Sequence, residues 1–153
     1  MSQFITLNND YATRVRESFV RQGFMNYLGA QITKVGPGTV EIEVPYSKNL
    51  AQQHGFFHGG VIGTIADNAG GYSSFTLMAA TDSILTIEYK LNIMCPANGD
   101  KLIARGRVLR PGRMITTSQS DIFVVHDGKE KLCATMLGTF MTMKNSSDEP
   151  KNY

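Results

Sequence analysis

The 153-residue chain has no tryptophan, only two cysteines and only five prolines, and just 18% of its residues are charged, with a net charge of +2. Cys95 and Cys133 lack Cys-x-x-Cys spacing. Neither a zinc ribbon nor a dithiol redox motif is encoded, and the pair reads as buried free thiols in a reducing cytosol. The low charge content excludes a disordered acidic or basic tail protein and makes no general case for nucleic-acid binding. A long hydrophobic run is also missing. The least polar stretch, 61–80, carries Asp67 and Asn68 near its middle, which argues against a membrane span. The opening MSQFITLNND has no basic start followed by an apolar run, so no signal peptide is read and a cytoplasmic location is expected. Glycine-rich phosphate loops and a G-x-S-x-G nucleophile elbow are absent. His54 and His58 precede a helix without a third nitrogen or sulfur ligand nearby, so neither metal nor cofactor is expected.

What remains is a chain that is 42% hydrophobic with fifteen glycines, enough for one domain with a real core. We read that domain over 1–144, followed by a polar, frayed tail over 145–153. Tyr11, Val15 and Phe19 recur at helical spacing after a candidate cap at Asn9 or Asp10. Strands are predicted over 28–35 and 39–46, joined at Gly36-Pro37-Gly38. A connection of about a dozen residues then leads to Gly59, a length more typical of functional loops. A helix is predicted over 60–78, with Gly70-Gly71 marking either a close approach by another backbone or its end. From Ser83 onward the pattern is long antiparallel strand. Leu85, Ile87, Tyr89, Leu91 and Ile93 alternate with Thr86, Glu88, Lys90 and Asn92, and turn signals fall at Arg110-Pro111-Gly112-Arg113 and His126-Asp127-Gly128-Lys129. Two strands, one long helix and four strands imply an α+β domain whose sheet curls around that helix.

The informative segment is Gln52-Gln53-His54-Gly55-Phe56-Phe57-His58-Gly59-Gly60, followed by Asp67-Asn68. A glycine pair opens a helix, where exposed N–H groups carry partial positive charge and polarise carbonyls or bind oxyanions. A carboxylate follows about two turns later on an otherwise apolar helix. The run HGGVIGTIADNAGG resembles the HGG-x6-D signature of hotdog-fold thioesterases, nearest to the branch acting in phenylacetate metabolism. The resemblance spans roughly residues 10–143. It implies a hotdog fold, a curved antiparallel sheet of about six strands around one central helix, and hydrolysis of an acyl-coenzyme A thioester.

The resemblance further implies that Asp67 is the general base or nucleophile. The N–H groups of Gly59 and Gly60 would polarise the carbonyl, and His58 would orient the loop or approach the thioester. Gln52 stands where some relatives carry an asparagine that positions water, and Thr86 where some carry a serine or threonine beside the carboxylate. Phe57, Asn68, Lys90, Arg110 and Arg113 complete the candidate substrate and coenzyme A contacts. The segment 90–113 supports these last assignments, with six basic residues and one acid offering a surface for phosphates. The alternative is that Arg105 and Arg107 simply occupy a solvated strand face.

Spacing adds an independent point. Eight residues of straight helix separate Gly59 from Asp67 by ~12 Å, whereas one carbonyl needs its donors and its base each within about 3 Å. Two antiparallel helices related by a dimer axis can meet that requirement, so composite sites in a homodimer, or a tetramer of two dimers, are expected. A hydroxyacyl dehydratase on the same fold needs a different histidine and acid pattern. A noncatalytic acyl-coenzyme A-binding, ligand-sensing domain is the alternative from another class.

Overall fold

The computed structural model describes residues 4–149. Helices α1 (Tyr11–Val20) and α2 (Gly23–Leu28) lead into β1 (Gln31–Gly36) and β2 (Thr39–Pro45). A single 3-10 turn (Lys48–Leu50) precedes the long helix α3 (Gly59–Phe75). Strands β3 (Ser83–Ile93), β4 (Lys101–Arg110), β5 (Ile115–His126) and β6 (Lys129–Met143) follow. All six strands form one antiparallel sheet in the order β1-β2-β4-β5-β6-β3. This is the hotdog arrangement, with the sheet folded around α3.

The helix sits in the fold because it is apolar nearly all round. Val61, Ile62, Ile65, Ala66, Ala69 and Phe75 are buried, and they pack with Ile42 and Leu102 of β2 and β4 and with Ile122, Met136 and Phe140 of β5 and β6. Each fully buried large side chain contributes about 1.5–3 kcal/mol. The buried serines on the helix are satisfied locally. Ser73 and Ser74 donate to Ala69 O and Gly70 O at 2.6 and 3.1 Å, and Ser120 donates to Ala66 O at 2.8 Å.

Several local expectations change. The stretch from Leu28 does not open as strand. Leu28 ends α2, Gly29 takes a left-handed cap at φ 67°, and β1 begins only at Gln31. At α1, Asp10 is the N-cap but its side chain caps nothing; Asn8 Oδ1 accepts the Asp10 N–H instead, at 3.0 Å. Gly70 and Gly71 neither end α3 nor meet another backbone. A Cβ there would press on the side chains of Met136, Phe140 and Ser120. The backbone approach occurs across the interface, where Gly106 of β4 lies against Ala69 of α3. The hairpin signal at residues 126–129 is realised with Asp127 and Gly128 at φ 49° and 73°.

The outer face explains much of the basic segment. Arg105 donates to Glu41 at 2.7 Å and makes two bonds to Glu130 at 2.6 and 2.8 Å; Arg107 pairs with Asp121 and Lys101 with Glu43, each at 2.7 Å. Three of the six cations are therefore committed to structural ion pairs. Glu41 is buried and also accepts from Thr33 and Lys34. Burial alone would raise its pKa, but the bonds from Arg105, Lys34 and Thr33 hold it down at about 2. A depressed carboxylate stabilises the fold above its ordinary pKa, and that contribution disappears as pH falls through the folded value. Glu41→Gln is expected to cost about 1–3 kcal/mol at neutral pH. The penalty should shrink between pH 4.5 and about 2, as urea unfolding midpoints across that range will test.

Candidate active site

The loop before α3 is held rigidly by backbone bonds. The N–H groups of Phe57 and His58 donate to Ala97 O and Leu50 O at 3.0 and 2.8 Å, and Gln52 N–H donates to Phe56 O at 2.9 Å. His58 is the N-cap of α3 (φ −64°, ψ 140°), and its Nδ1 accepts the Gly60 N–H at 2.9 Å. In the neutral ring this leaves the proton on Nε2. A Cβ at Gly60 would come within 3.0 Å of that Nδ1, so the cap itself favours glycine here.

This geometry divides the expected pair of donors. Gly60 N–H is spent on the cap, whereas Gly59 N–H meets no acceptor among the described residues. Gly59 therefore presents the open donor at the positive end of the helix. It lines a cavity of about 460 Å³ with Gln52, Phe56, Ile93 and Cys95. Gln52 uses its side-chain oxygen on His54 N–H, leaving its amide nitrogen to the cavity. His54 is exposed. Phe57, expected to contact substrate, is 3% exposed and packs edge-on against Tyr46. It belongs to the core cluster and also lines the Gly59 cavity.

Asp67 lies on α3 in a second cleft of about 390 Å³ that shares no lining residue with the first. Thr86 Oγ1 donates to Asp67 Oδ1 at 3.0 Å. The other carboxylate oxygen accepts no hydrogen bond among the described residues. Burial pushes the Asp67 pKa up, and the Thr86 bond opposes that shift. Thr86 reaches the helix because β3 is irregular. The register against β6 slips between Thr86 and Glu88, so Thr86 shares the helix-facing side with Tyr89, Leu91 and Ile93, which approach Gly63 and Gly59. Simple alternation places Thr86 on the opposite side; the bulge corrects it.

Thr86→Val keeps the shape and removes the donor. Asp67 then loses the bond that favours its charged form, so the acid limb of kcat/KM is expected to move to higher pH. A loss of about fivefold in rate at neutral pH corresponds to one net hydrogen bond. An unmoved limb would show that Thr86 does not act on the carboxylate.

Asn68 and its surroundings form a polar floor. Asn68 Nδ2 donates to Thr64 O at 3.1 Å; Gln22 Nε2 donates to Asn68 Oδ1 at 2.9 Å and to Tyr72 Oη at 2.7 Å; Ser18 Oγ lies 3.1 Å from that hydroxyl. Gln22, absent from the sequence-based assignment, enters from the α1–α2 junction, far from the motif in the chain. Arg21 and Asp148 close one side of the same cleft through a 2.7 Å ion pair. With the Lys144–Asp82 pair at 2.6 Å and Asn145 N–H on Asp82, this ties the described part of the tail to the domain instead of leaving it frayed.

The proposed coenzyme A cations do not gather here. Lys90 is exposed on β3 and donates to Asn92 at 3.0 Å, Arg110 is exposed on β4, and Arg113 lines a different cavity beneath Phe4 and Leu7. None of the three lines the Asp67 cleft or the Gly59 cavity. Asp100, His126 and Asp127 form a compact exposed group, and Asp100 Oδ2 accepts the Asp127 N–H at 3.1 Å as part of the turn. His54, His58 and Asp67 do not converge.

The chain is a thioester hydrolase with the hotdog fold. The chain belongs to the thioesterase superfamily, whose family model matches residues 54–131. A thioesterase family protein from Silicibacter pomeroyi is 42% identical and superposes with a TM-score of 0.86, over 88% of this chain and 98% of that one. The proofreading thioesterase EntH of Klebsiella pneumoniae is 29% identical over 74% of this chain and 81% of its own length. A thioesterase from Haemophilus influenzae shares the fold at a TM-score of 0.76 and 22% identity, over 95% of both chains.

Proposed function

We propose that the thioester is an acyl-coenzyme A and that Asp67 drives its hydrolysis. The observation that carries this reading is the Asp67 carboxylate, half-buried and oriented by Thr86 with one oxygen free among the described residues, midway along the helix whose N-terminus presents the unpartnered Gly59 N–H. As general base, Asp67 takes a proton from water while the water oxygen bonds to the thioester carbon. The carbonyl electron pair moves onto oxygen and is held by Gly59 N–H, aided by the helix dipole. Collapse of this intermediate breaks the carbon–sulfur bond, and the departing coenzyme A sulfur takes the proton back. In direct attack a carboxylate oxygen of Asp67 bonds to the thioester carbon, the carbon–sulfur bond breaks to release the coenzyme A thiolate, and water opens the resulting anhydride, regenerating Asp67 and supplying the proton the thiolate takes.

The site is composite in this reading. β3 is an 11-residue edge strand with Leu85, Ile87, Tyr89 and Ile93 at least 42% exposed, a surface suited to pairing with a second copy. Within one chain, Gly59 lies near Ile93 and Asp67 near Thr86. Antiparallel β3–β3 pairing with Thr86 opposite the partner's Ile93 brings the Gly59 cavity of one chain to the Asp67 cleft of the other. A homodimer, or two such dimers, follows. Lys90, Arg110 and Arg113 are the cations of the basic segment outside the described ion pairs and remain the candidates for the coenzyme A phosphates. Free Cys95 and Cys133 fit a cytoplasmic setting, and no described helix is long and apolar enough to cross a membrane.

The test is free-thiol release from aromatic and C4 to C16 acyl-coenzyme A esters by wild type and Asp67→Asn. Turnover that collapses in the variant supports the assignment. Binding without thiol release from any ester would replace it with the noncatalytic, ligand-sensing role.

A further inference from the structure

Resting on Asp67 as the group that attacks the thioester, we propose that Gln22 is a specificity-determining residue that accepts a hydrogen bond from a hydroxyl on the acyl group. The inference follows from a chain of fixed amide orientations. The carbonyl of Thr64 can only accept, so the Asn68 atom facing it at 3.1 Å is the amide nitrogen. Asn68 therefore presents its oxygen to Gln22, and the Gln22 atom 2.9 Å from it must be the nitrogen. That same nitrogen reaches Tyr72 Oη at 2.7 Å. Both donors of Gln22 are thus committed, and its Oε1 is left as an acceptor with no partner among the described residues.

Gln22, Asn68 and Tyr72 line the Asp67 cleft together with the carboxylate. Asn68 and Tyr72 are one helical turn apart, so the amide held between them lies within about 5 Å of the level of Asp67 along the helix axis. Gly71 places no side chain between them and leaves the cleft open along α3. Phe75 and Ile84 supply apolar wall. An acyl group seated there meets hydrocarbon on its body and an oriented acceptor near its far part. A purely apolar acyl group leaves Gln22 Oε1 unpaired once water is displaced, whereas a hydroxyl pointing to it restores the bond.

The experiment compares matched esters, 4-hydroxybutyryl- against butyryl-coenzyme A and the three hydroxybenzoyl isomers against benzoyl-coenzyme A, with wild type, Gln22→Met and Tyr72→Phe. The readout is the ratio of kcat/KM within each pair. Wild type is expected to favour at least one hydroxylated member by about tenfold, the value of one well-formed hydrogen bond. Gln22→Met should bring that ratio to about one. Tyr72→Phe, which keeps the Gln22 acceptor but loosens its anchor, should give an intermediate ratio. A wild-type ratio of one for every pair overturns the assignment, as does a preference that survives in Gln22→Met. Thermal melts of both variants separate a local effect from loss of fold. Calorimetric binding of the same pairs to Asp67→Asn gives the ratio without turnover. Absence of thiol release therefore counts against the hydrolytic reading of Asp67, while the binding ratio still decides the role of Gln22.

Discussion

Asp67→Asn is expected to lower kcat for thioester hydrolysis by about 10²–10⁴-fold, the range for loss of a positioned general base, and at the same time to raise the melting temperature at neutral pH. The two effects share one cause. Asp67 is held on an apolar helix where burial disfavours its charged form, and a single bond from Thr86 only partly offsets that cost. A carboxylate whose folded pKa is raised stabilises the protein fully only below its unfolded value. The contribution is lost as pH rises through the folded value. Where Asp67 is ionised, its charge is therefore less well solvated in the folded state than in the unfolded chain.

Asparagine removes that charge, keeps nearly the same volume and still offers Thr86 an oxygen acceptor. The stabilising effect should fade as pH falls through the raised folded value and be gone below the reference value of 3.8, where aspartate is neutral in both states. Calorimetric melts of both proteins at pH 3, 5 and 7, alongside steady-state kinetics, check the pair of claims. A destabilised but inactive variant would point to a structural carboxylate, whereas a stabilised and inactive one is the signature of a site that trades stability for chemistry.

The candidate site was legible in the sequence to the extent that it is local. His58, Gly59, Gly60 and Asp67 fall within ten consecutive positions, and helical spacing alone sets the glycine N–H apart from the carboxylate. The division of labour within that motif was not legible. Whether His58 faces a substrate or folds back onto Gly60 depends on the backbone angles at the cap.

Only the resemblance set Thr86 beside Asp67, to which it donates a hydrogen bond. Strict alternation along β3 sends it away from the helix, and the bulge that reverses it has no glycine or proline to mark it. Gln22 was invisible for a different reason. Its partners Asn68 and Tyr72 are 46 and 50 residues away, and nothing at the α1–α2 junction advertises a polar contact. For the fold, alternation and turn chemistry recovered the strands and hairpins. The region around Leu28 failed because a six-residue helix is too short to show a period, and its stop signal, Gly29, is equally at home before a strand.

Gly106→Ala is expected to cost about 3 kcal/mol or more, because neither contacting surface can yield. A Cβ at Gly106 would lie 2.1 Å from Ala69 O and 2.3 Å from Ala69 C. Both atoms are backbone in the middle of a buried helix, and Gly106 is itself paired on both sides, to Val40 of β2 and Ser120 of β5. Overpacking against a flexible side chain is relieved by a rotamer change at a cost of about 1–3 kcal/mol. Relief here requires α3 to lift from the sheet. That displacement acts on Ala69, two residues from Asp67, so activity should fall with stability even in the fraction that remains folded. Gly23→Ala is the matched control. Nothing lies within 4 Å of its added Cβ and its φ is not in the left-handed region, so helix propensity leaves it within about 1 kcal/mol of wild type on the stabilising side. Urea titrations of the two variants should therefore diverge in opposite directions. A Gly106→Ala midpoint close to wild type would mean that the helix is not seated on β4 as tightly as its closest backbone contact requires.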